Sequence, residues 1–397
     1  MSPQILMRFI KNSFKSFCRN HPMRVAIIHE WLTTFAGSEK ALAQILQLFP
    51  EADLFCIVDY LPDSQRGFLE GHKVTTSFIQ KLPAVDTKYR NYLPLMPMAV
   101  RRFDLTGYDL VISSNHAVAN GVKTTPGQLH VSYTYSPMRY AWDLREQYLR
   151  ESGLDTGVKG FIARRLLSRL REWDHRVSRN VDYFIAISKF IQDRIRSSYG
   201  RESVVIYPPV DIDFYQIGKE KGDFYLAASR MVPYKMMPLI VSAFSEMPDK
   251  RLVVIGDGPE FERVKECAAE NTEILGYQDD RVLKQYLQKA KALVFAAEED
   301  FGILPVEAQA CGTPVVAYAK GGSLETVNGL EHEEPTGVFF DQQSTTSIKA
   351  AITAFEQHAE EITASNCRKN ALRFSEAVFK EEFMGYLCTI LPALCDK

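Results

Sequence analysis

Short apolar runs alternate along this chain with segments whose apolar residues recur at helical spacing. The runs at 25–29 and 292–297 predict buried parallel strands, and the segment 41–48 predicts the helix that follows the first of them. The same criteria predict strands at 53–58, 110–113, 181–187, 224–228, 251–255 and 315–318, and helices at 159–179, 303–310, 347–361 and 375–391. Strands that alternate with helices are typical of α/β folds built on parallel sheets.

Proline and polar residues interrupt this pattern near the middle of the chain. Pro208 and Pro209 break regular structure, polar residues fill 218–222, and the alternation restarts at Phe224. We therefore predict two Rossmann-like, doubly wound α/β domains facing across a cleft. The predicted segments are a basic amphipathic extension at 1–22, a first domain at 23–208, a linker at 209–222, a second domain at 223–380 and a C-terminal helix at 381–397.

Composition narrows the class of protein. With 397 residues, 46% of them hydrophobic and 24% charged, the chain has the make-up of an ordinary soluble globular protein. The formal net charge of −2 argues against a nucleic-acid partner. The seven cysteines show no C-x-x-C spacing, so we expect reduced thiols. We identify no signal peptide and no transmembrane run, and we expect a cytoplasmic protein.

Two segments combine apolar and basic residues. The apolar residues of 1–22 follow helical spacing beside several basic ones, which predicts an interfacial helix on an anionic membrane surface, a frayed extension or a helix packed on its own domain. The arginine-rich helix predicted at 159–179 carries either a solvated face or one that meets anionic lipid or a pyrophosphate-linked acceptor. If either segment meets the membrane, we expect the protein to be peripheral on the inner face of the cytoplasmic membrane.

The unit between 292 and 318 carries the most specific chemistry. Its first strand ends at Glu298-Glu299, Gly302 permits a tight turn, and a short helix follows from Ile303. The helix start at Gly302-Ile303-Leu304 offers free N–H groups and a positive dipole end, which suit a phosphate. Glu299 and Glu307 flank this anion site, and an ionised carboxylate can accept hydrogen bonds from neighbouring hydroxyls.

Three more positions follow predicted strands. Arg230 and Lys235 lie in the loop after the strand at 224–228, where one can bind a diphosphate as a planar fork and the other as a point charge. In the first domain, Gly37 lies in a strand-to-helix loop that could approach a phosphate. His116 and Tyr135 each come just past a strand end, where a histidine is more often structural than functional.

The string from Glu299 to Glu307, followed by Ala310-Cys311-Gly312-Thr313-Pro314, resembles the signature of the retaining glycosyltransferases of family 4, which have the GT-B fold. The resemblance implies that Glu299 contacts the transferred sugar, the Gly302 loop the diphosphate and Glu307 the ribose of a nucleotide-sugar donor. It assigns Arg230 and Lys235 to the diphosphate, Gly37 to the donor and Tyr277 to the base, chiefly through its backbone. It also implies that the last helix crosses back to the first domain.

The stretches around His116 and Tyr135 narrow the resemblance to the WbaZ-like mannosyltransferases of O-antigen and related polysaccharide assembly. This branch implies GDP-mannose as donor and a glycan or lipid-linked oligosaccharide as acceptor. Many family members have a histidine where this chain has Tyr135. Because a tyrosine titrates near 10 rather than 6.5, an imidazole role does not carry over.

The expected activity is therefore transfer of a hexose with retention. We single out no acidic metal-binding motif, so we expect neither a metal nor a cofactor. Three alternatives stay open at this point: a nucleotide-sugar epimerase with the same two-domain fold, a nicotinamide oxidoreductase, which the missing glycine fingerprint disfavours, and a non-catalytic glycan-binding scaffold.

Overall fold

The computed structural model of the protein describes residues 23–142, 145–151 and 153–394. The chain divides into two compact units: the first runs to Ile206 and resumes at Lys380, and the second is Tyr207–Phe379. The extension predicted at 1–22 lies outside the described residues, as do Cys18 and Cys395. Most of the segment predicted as a linker packs on the second unit; the Gly222 N–H, for example, donates to the Lys289 carbonyl at 2.6 Å.

The first unit contains a parallel sheet of seven strands. The strands are β1 (Val25–Leu32), β2 (Asp53–Asp59), β3 (Val74–Thr76), β4 (Leu110–Asn115), β5 (Leu129–Thr134), β6 (Tyr183–Ala186) and β7 (Ser203–Val205). They lie in the order β3-β2-β1-β4-β5-β6-β7. The helices are α1 (Gly37–Leu48), α2 (Val85–Lys88), α3 (Met96–Arg101), α4 (Arg145–Glu151), α5 (Gly157–Val177) and α6 (Lys189–Tyr199).

Register in this sheet places the candidate residues of the first unit side by side. All six residues of β4 are buried, as expected for a parallel strand covered on both faces. Asn115 at the end of β4 pairs with Thr134 at the end of β5. The residues that follow these strands, His116 and Tyr135, therefore leave the sheet at the same edge.

The second unit contains a parallel sheet of six strands. The strands are β8 (Tyr225–Ala228), β9 (Leu252–Ile255), β10 (Thr272–Ile274), β11 (Leu293–Phe295), β12 (Val315–Tyr318) and β13 (Gly337–Phe340), in the order β10-β9-β8-β11-β12-β13. The helices are α7 (Met237–Ser245), α8 (Phe261–Glu266), α9 (Asp280–Lys289), α10 (Ile303–Ala310), α11 (Ser323–Thr326), α12 (Thr345–Gln357) and α13 (Ala364–Leu372), followed by α14 (Glu376–Ile390).

The part of α14 beyond Phe379 belongs to the first unit. Its Phe383 ring lies edge-on to Tyr133 of β5, with centroids 6.0 Å apart, and Tyr386 lies 6.5 Å from Tyr183 of β6. Phe383 is fully buried. Apolar contacts with β5 and β6 therefore hold the last helix on the first sheet.

Local sequence signals account for several helix starts. Ser188 caps α6 because its Oγ accepts the Ile191 N–H at 3.0 Å. The prediction of one helix over 347–361 was wrong in extent, since α12 ends at Gln357. Thr363 then accepts the Asn366 N–H at 3.1 Å and starts α13, which the sequence pattern did not predict.

The cysteines differ in their bonding state. Cys56, Cys267, Cys311 and Cys367 are free thiols, but Cys388 is disulfide-bonded, so the expectation of reduced thiols throughout was wrong. Within the described part of the chain, no helix is both long enough and apolar enough to span a bilayer.

Candidate functional site

In the first unit, the three predicted positions converge on one polar cluster. The rings of His116 and Tyr135 lie 6.2 Å apart. The Tyr135 hydroxyl donates to the carbonyl of Ser38 at 2.9 Å, beside Gly37 at the start of α1. The ends of β4 and β5 and the first turn of α1 thus meet at this cluster.

A buried carboxylate that the sequence pattern did not single out organises the cluster. Glu30 of β1 is fully buried, and its Oε2 lies 2.8 Å from Nδ1 of His116. Its Oε1 accepts backbone N–H groups at 2.8 to 3.2 Å from His116, Ala117, Val118 and Ala119. A charged acceptor shared by four successive N–H groups fixes the loop that follows β4. The signal that could have found it was a charged residue inside an otherwise apolar strand.

The charges of Glu30 and His116 shift each other's pKa. Burial alone would raise the pKa of the Glu30 carboxyl, but the charge of His116 and its hydrogen bond lower that pKa to about 2. Burial alone would lower the pKa of His116, but the charge of Glu30 raises it above the usual 6.5. The charge of Glu30 therefore favours the cationic form of His116, whose side chain is 26% exposed.

A second chain of hydrogen bonds ends at Tyr135. Glu39 Oε1 lies 3.2 Å from Nε2 of His29, whose Nδ1 lies 3.0 Å from Ser114 Oγ. Ser114 Oγ in turn lies 3.0 Å from the Tyr135 hydroxyl. Burial raises the pKa of Tyr135 well above 10. Tyr135 is thus a neutral hydrogen-bonding group, and its phenol does not serve as a base at neutral pH.

In the second unit, the predicted residues Lys235 and Glu299 form an ion pair between Nζ and Oε1. Both side chains are 18% exposed. Lys235 follows β8 and Glu299 follows β11, and these strands are neighbours in the sheet. An ammonium has three donors, so Lys235 can stay paired with Glu299 while it contacts a phosphate.

Glycines hold the main chain of Glu299 in place. Gly321 forms a parallel bridge with Glu299, and the Gly322 N–H donates to the Glu299 carbonyl at 2.8 Å. A Cβ at Gly321 would lie 2.3 Å from that carbonyl oxygen, and its φ of +69° also favours glycine. Gly321 and Gly322 therefore support Glu299 through its main chain.

The helix predicted at 303–310 is α10, and Gly302 precedes it with a φ of +83°. The first N–H groups of a helix have no partner inside it, so Ile303 and Leu304 present donors at a positive dipole end. Glu307, on the second turn, is only 5% exposed. Its carboxylate is hydrogen-bonded to Tyr215, and burial together with this charge raises the pKa of the Tyr215 hydroxyl. Tyr215 was not predicted.

The loop that carries Arg230 packs closely against the segment after β9. The Met231 N–H donates to Asp257 O at 2.8 Å, and a Cβ at Gly256 would lie 1.8 Å from Ser229 O. Gly256-Asp257-Gly258 thus serves the close approach of two backbones rather than a dinucleotide site. Met236, directly after Lys235, has a φ of +56°, an uncommon conformation for a residue other than glycine.

Tyr277 and an acidic string lie apart from these contacts. The Tyr277 side chain is 75% exposed, and no contact in the described chain ties it to the Lys235–Glu299 pair. An Asp-x-Asp string does occur, at Asp211-Ile212-Asp213, but Asp211 Oδ1 accepts the Phe214 N–H at 2.8 Å and opens a turn. Among the described residues, no group of three or more His, Cys, Asp or Glu side chains is placed to hold a metal ion.

Family models match most of the chain. Residues 37–214 match the model described as Glycosyltransferase Family 4, and residues 211–374 match the model described as glycosyl transferases group 1. Among solved structures, sucrose-phosphate synthase from Thermosynechococcus elongatus is similar with a TM-score of 0.70 and 18% identity, covering 94% of this chain and 100% of that one. HepE of Anabaena, solved with UDP-glucose, is similar with a TM-score of 0.63 and 20% identity, covering 93% and 100%.

Curated relatives match in part. An uncharacterized glycosyltransferase of Methanocaldococcus jannaschii is 30% identical over 166 residues, which are 39% of this chain and 46% of that protein. A GDP-mannose-dependent α-(1-6)-phosphatidylinositol monomannoside mannosyltransferase of Mycolicibacterium smegmatis is 26% identical over 212 residues, which are 45% and 53% of the two chains. The chain thus spans about half the length of these relatives.

The two parallel sheets and the structural neighbours define an α/β protein of the GT-B fold. With the family models over both halves, the chain belongs to the GT-B glycosyltransferases of family 4.

Proposed function

We propose that this protein is a retaining glycosyltransferase that transfers mannose from GDP-mannose to a lipid-linked oligosaccharide or polysaccharide acceptor in cell-surface glycan synthesis, such as that of an O-antigen. The observation that carries the proposal is the half-buried Lys235–Glu299 ion pair, three residues before the turn at Gly302 that starts α10. It combines a cation, a carboxylate and a helix N-terminus at the carboxyl ends of neighbouring parallel strands, where α/β sheets bind ligands.

Each group has a separate part in the reaction. When the bond between the anomeric carbon and the diphosphate breaks, negative charge grows on the leaving oxygen. Lys235, Arg230 and the N–H groups at Gly302, Ile303 and Leu304 stabilise that charge, a preorganised contribution that is often the largest in catalysis. Glu299 accepts hydrogen bonds from sugar hydroxyls and positions the anomeric carbon.

Glu307 accepts hydrogen bonds from the ribose hydroxyls of the nucleotide. Its low exposure supports this role. A buried carboxylate that is left without hydrogen bonds is costly, so Glu307 favours ligands whose hydroxyls donate to it. Tyr215 already occupies part of its hydrogen-bonding capacity and holds its orientation. Gly37 contributes backbone close to the donor, and Tyr277 contributes its backbone to the base.

On the acceptor side, the Glu30–His116 pair presents an imidazolium next to the neutral Tyr135 hydroxyl. Both groups can hydrogen-bond a sugar, and the cation adds attraction for a phosphate of a lipid-linked acceptor. The reaction as proposed uses no metal and no cofactor, and the protein acts in the cytoplasm at the inner face of the membrane.

Relatives support mannose but do not agree on the sugar. The mycobacterial protein and a relative from Corynebacterium glutamicum are named as GDP-mannose-dependent mannosyltransferases. A relative from Bacillus anthracis is named N-acetyl-α-D-glucosaminyl L-malate synthase. A donor panel therefore has to include UDP-N-acetylglucosamine and UDP-glucose beside GDP-mannose.

The test measures nucleotide release from each donor, with and without a membrane lipid extract as acceptor. We expect lipid-dependent GDP release from GDP-mannose that is lost in Glu307→Ala. Turnover of another donor instead would overturn the mannosyl assignment and keep the class. A free sugar nucleotide that is altered without transfer would identify an epimerase. Binding without turnover of any donor would identify a non-catalytic scaffold.

A further inference from the structure

Among the described residues of the first unit, the most exposed large apolar side chains lie on one turn of α5. Val158, Phe161 and Ile162 are 77%, 66% and 61% exposed. Their spacing of three and four residues puts them on one face of the helix. The residues that α5 buries, Gly160, Leu167, Leu170 and Asp174, lie on the opposite face. The apolar face is therefore not part of the core of this unit.

Basic residues continue the same face toward the C-terminal end of α5. Arg165, Arg169 and Arg176 follow Val158 and Ile162 at three-, four- and seven-residue spacing, and all three are exposed. Lys159 is exposed beside the apolar turn. Among the described residues, none of these four cations has a carboxylate within 4.0 Å, whereas the neighbouring Arg164 contacts Glu146 at 3.4 Å.

We propose that this face of α5, defined by Val158, Phe161, Ile162, Arg165 and Arg169, is a contact surface for the anionic lipid headgroups of a membrane. Phe161, Val158 and Ile162 would enter the boundary between headgroups and acyl chains, and the arginines would lie against lipid phosphates. The apolar and basic residues share one side of α5 over about 27 Å, from 158 to 176, so this side lies flat on a bilayer rather than crossing it.

The charge of this face favours an anionic membrane over a second copy of the chain. Unpaired cations beside bulky apolar groups match a surface that is negative outside and apolar beneath. A second copy of the chain would instead bring a second set of unpaired arginines to the contact. The inference rests on the proposed function only in that a lipid-linked acceptor would lie in the same membrane. Binding of the protein to vesicles requires neither a sugar donor nor turnover.

The experiment is co-sedimentation of the full chain with phosphatidylcholine vesicles, with and without phosphatidylglycerol. Each basic residue near an anionic surface changes binding by a factor of about five. Arg165→Glu/Arg169→Glu should therefore weaken binding at least about 25-fold. Phe161→Ser/Ile162→Ser should weaken it at least about tenfold, because both apolar groups leave water on binding. Leu324→Ser/Leu372→Ser and Arg281→Glu, at exposed positions of the second unit, serve as matched controls.

Folding and donor binding are checked in the same variants. We expect both α5 variants to keep the circular dichroism spectrum of the unchanged chain and its turnover on a detergent-dispersed acceptor. That result shows that the fold and the donor site are intact. The proposal is overturned if binding does not depend on phosphatidylglycerol, or if both α5 variants bind as the unchanged chain does, which would assign attachment to another segment such as 1–22. It is also overturned if Phe161→Ser/Ile162→Ser changes only the oligomeric state.

Discussion

Glu30 and His116 form a buried ion pair in which Oε2 and Nδ1 lie 2.8 Å apart. The other carboxylate oxygen accepts the four N–H groups that begin the loop after β4. Because Glu30 is on β1 and His116 follows β4, the pair joins two neighbouring strands at the edge where the candidate residues collect.

Replacing Glu30 with glutamine removes the charge but keeps an oxygen of similar size. We expect the free energy of unfolding in urea to fall by about 3 kcal/mol, as for other broken buried pairs. We also expect the pKa of His116, followed by NMR, to fall below its present value. Glu51→Gln, at an exposed position, is the control and should change neither quantity. An unchanged His116 pKa would show that Glu30 does not hold its charge.

The pair also predicts how stability depends on pH. The pKa of His116 is raised in the folded state, so its stabilising effect is complete below 6.5 and is lost as pH rises through the raised value. The pKa of Glu30 is lowered to about 2 from 4.5, so its effect is complete above 4.5 and is lost as pH falls through about 2. The stability difference between the unchanged chain and Glu30→Gln should therefore be largest between 4.5 and 6.5. A difference that grows as pH rises above this window would contradict the assignment.

Tyr135→Phe removes a hydroxyl that donates to Ser38 O and contacts Ser114 Oγ. We expect a loss of about 1 kcal/mol in unfolding free energy, the usual worth of such a hydrogen bond. The loss should be independent of pH across the neutral range, because the phenol stays neutral there. Tyr277→Phe, whose ring is 75% exposed, should change stability by less than about 0.5 kcal/mol. Equal effects in the two variants would contradict the hydrogen-bonding role of Tyr135.

Gly256→Ala tests whether close backbone approach positions the Arg230 loop. The added Cβ would lie 1.8 Å from Ser229 O, and the φ of +140° is strained for alanine. We expect a loss of at least about 2 kcal/mol in stability and weaker donor binding. Gly385→Ala is the matched control, since no atom lies within 4 Å of its added Cβ and it sits inside α14. That variant should gain up to about 1 kcal/mol. A harmless Gly256→Ala would show that close backbone approach does not position this loop.

The sequence predicted the elements that carry a strong local signal. The turn at Gly302, the helix from Ile303 and the carboxylates at 299 and 307 follow from apolar spacing, a glycine and charged residues at a strand end. The strand ends at His116 and Tyr135 could be predicted in the same way. Their adjacency depends on the pairing of β4 with β5, which no local pattern specifies.

The rest depends on contacts between residues far apart in the chain. In the sequence, Glu30 shows no connection with the loop at 116–119. The N–H groups that its carboxylate accepts lie 86 to 89 residues further along the chain, and only the pairing of β4 with β1 brings them close. Tyr215 could not be connected with Glu307 from spacing, because the two come together only through packing around α10. Short strands such as β3 and β7, three residues each, also carry too little periodicity to be predicted.

The most direct test of the central claim follows isotope-labelled mannose from GDP-mannose into the lipid fraction and determines the anomeric configuration of the product by NMR. Lys235→Ala should lower kcat/KM about 100-fold, because it removes a charged contact to the leaving diphosphate. Lys349→Ala, which breaks the exposed pair with Glu246, should leave it unchanged.

We predict label in the lipid fraction equal to the GDP released, with the anomeric configuration of the donor retained and with transfer nearly lost in Lys235→Ala. GDP-mannose that binds but yields no labelled lipid, or a product of inverted configuration, would contradict the proposed reaction.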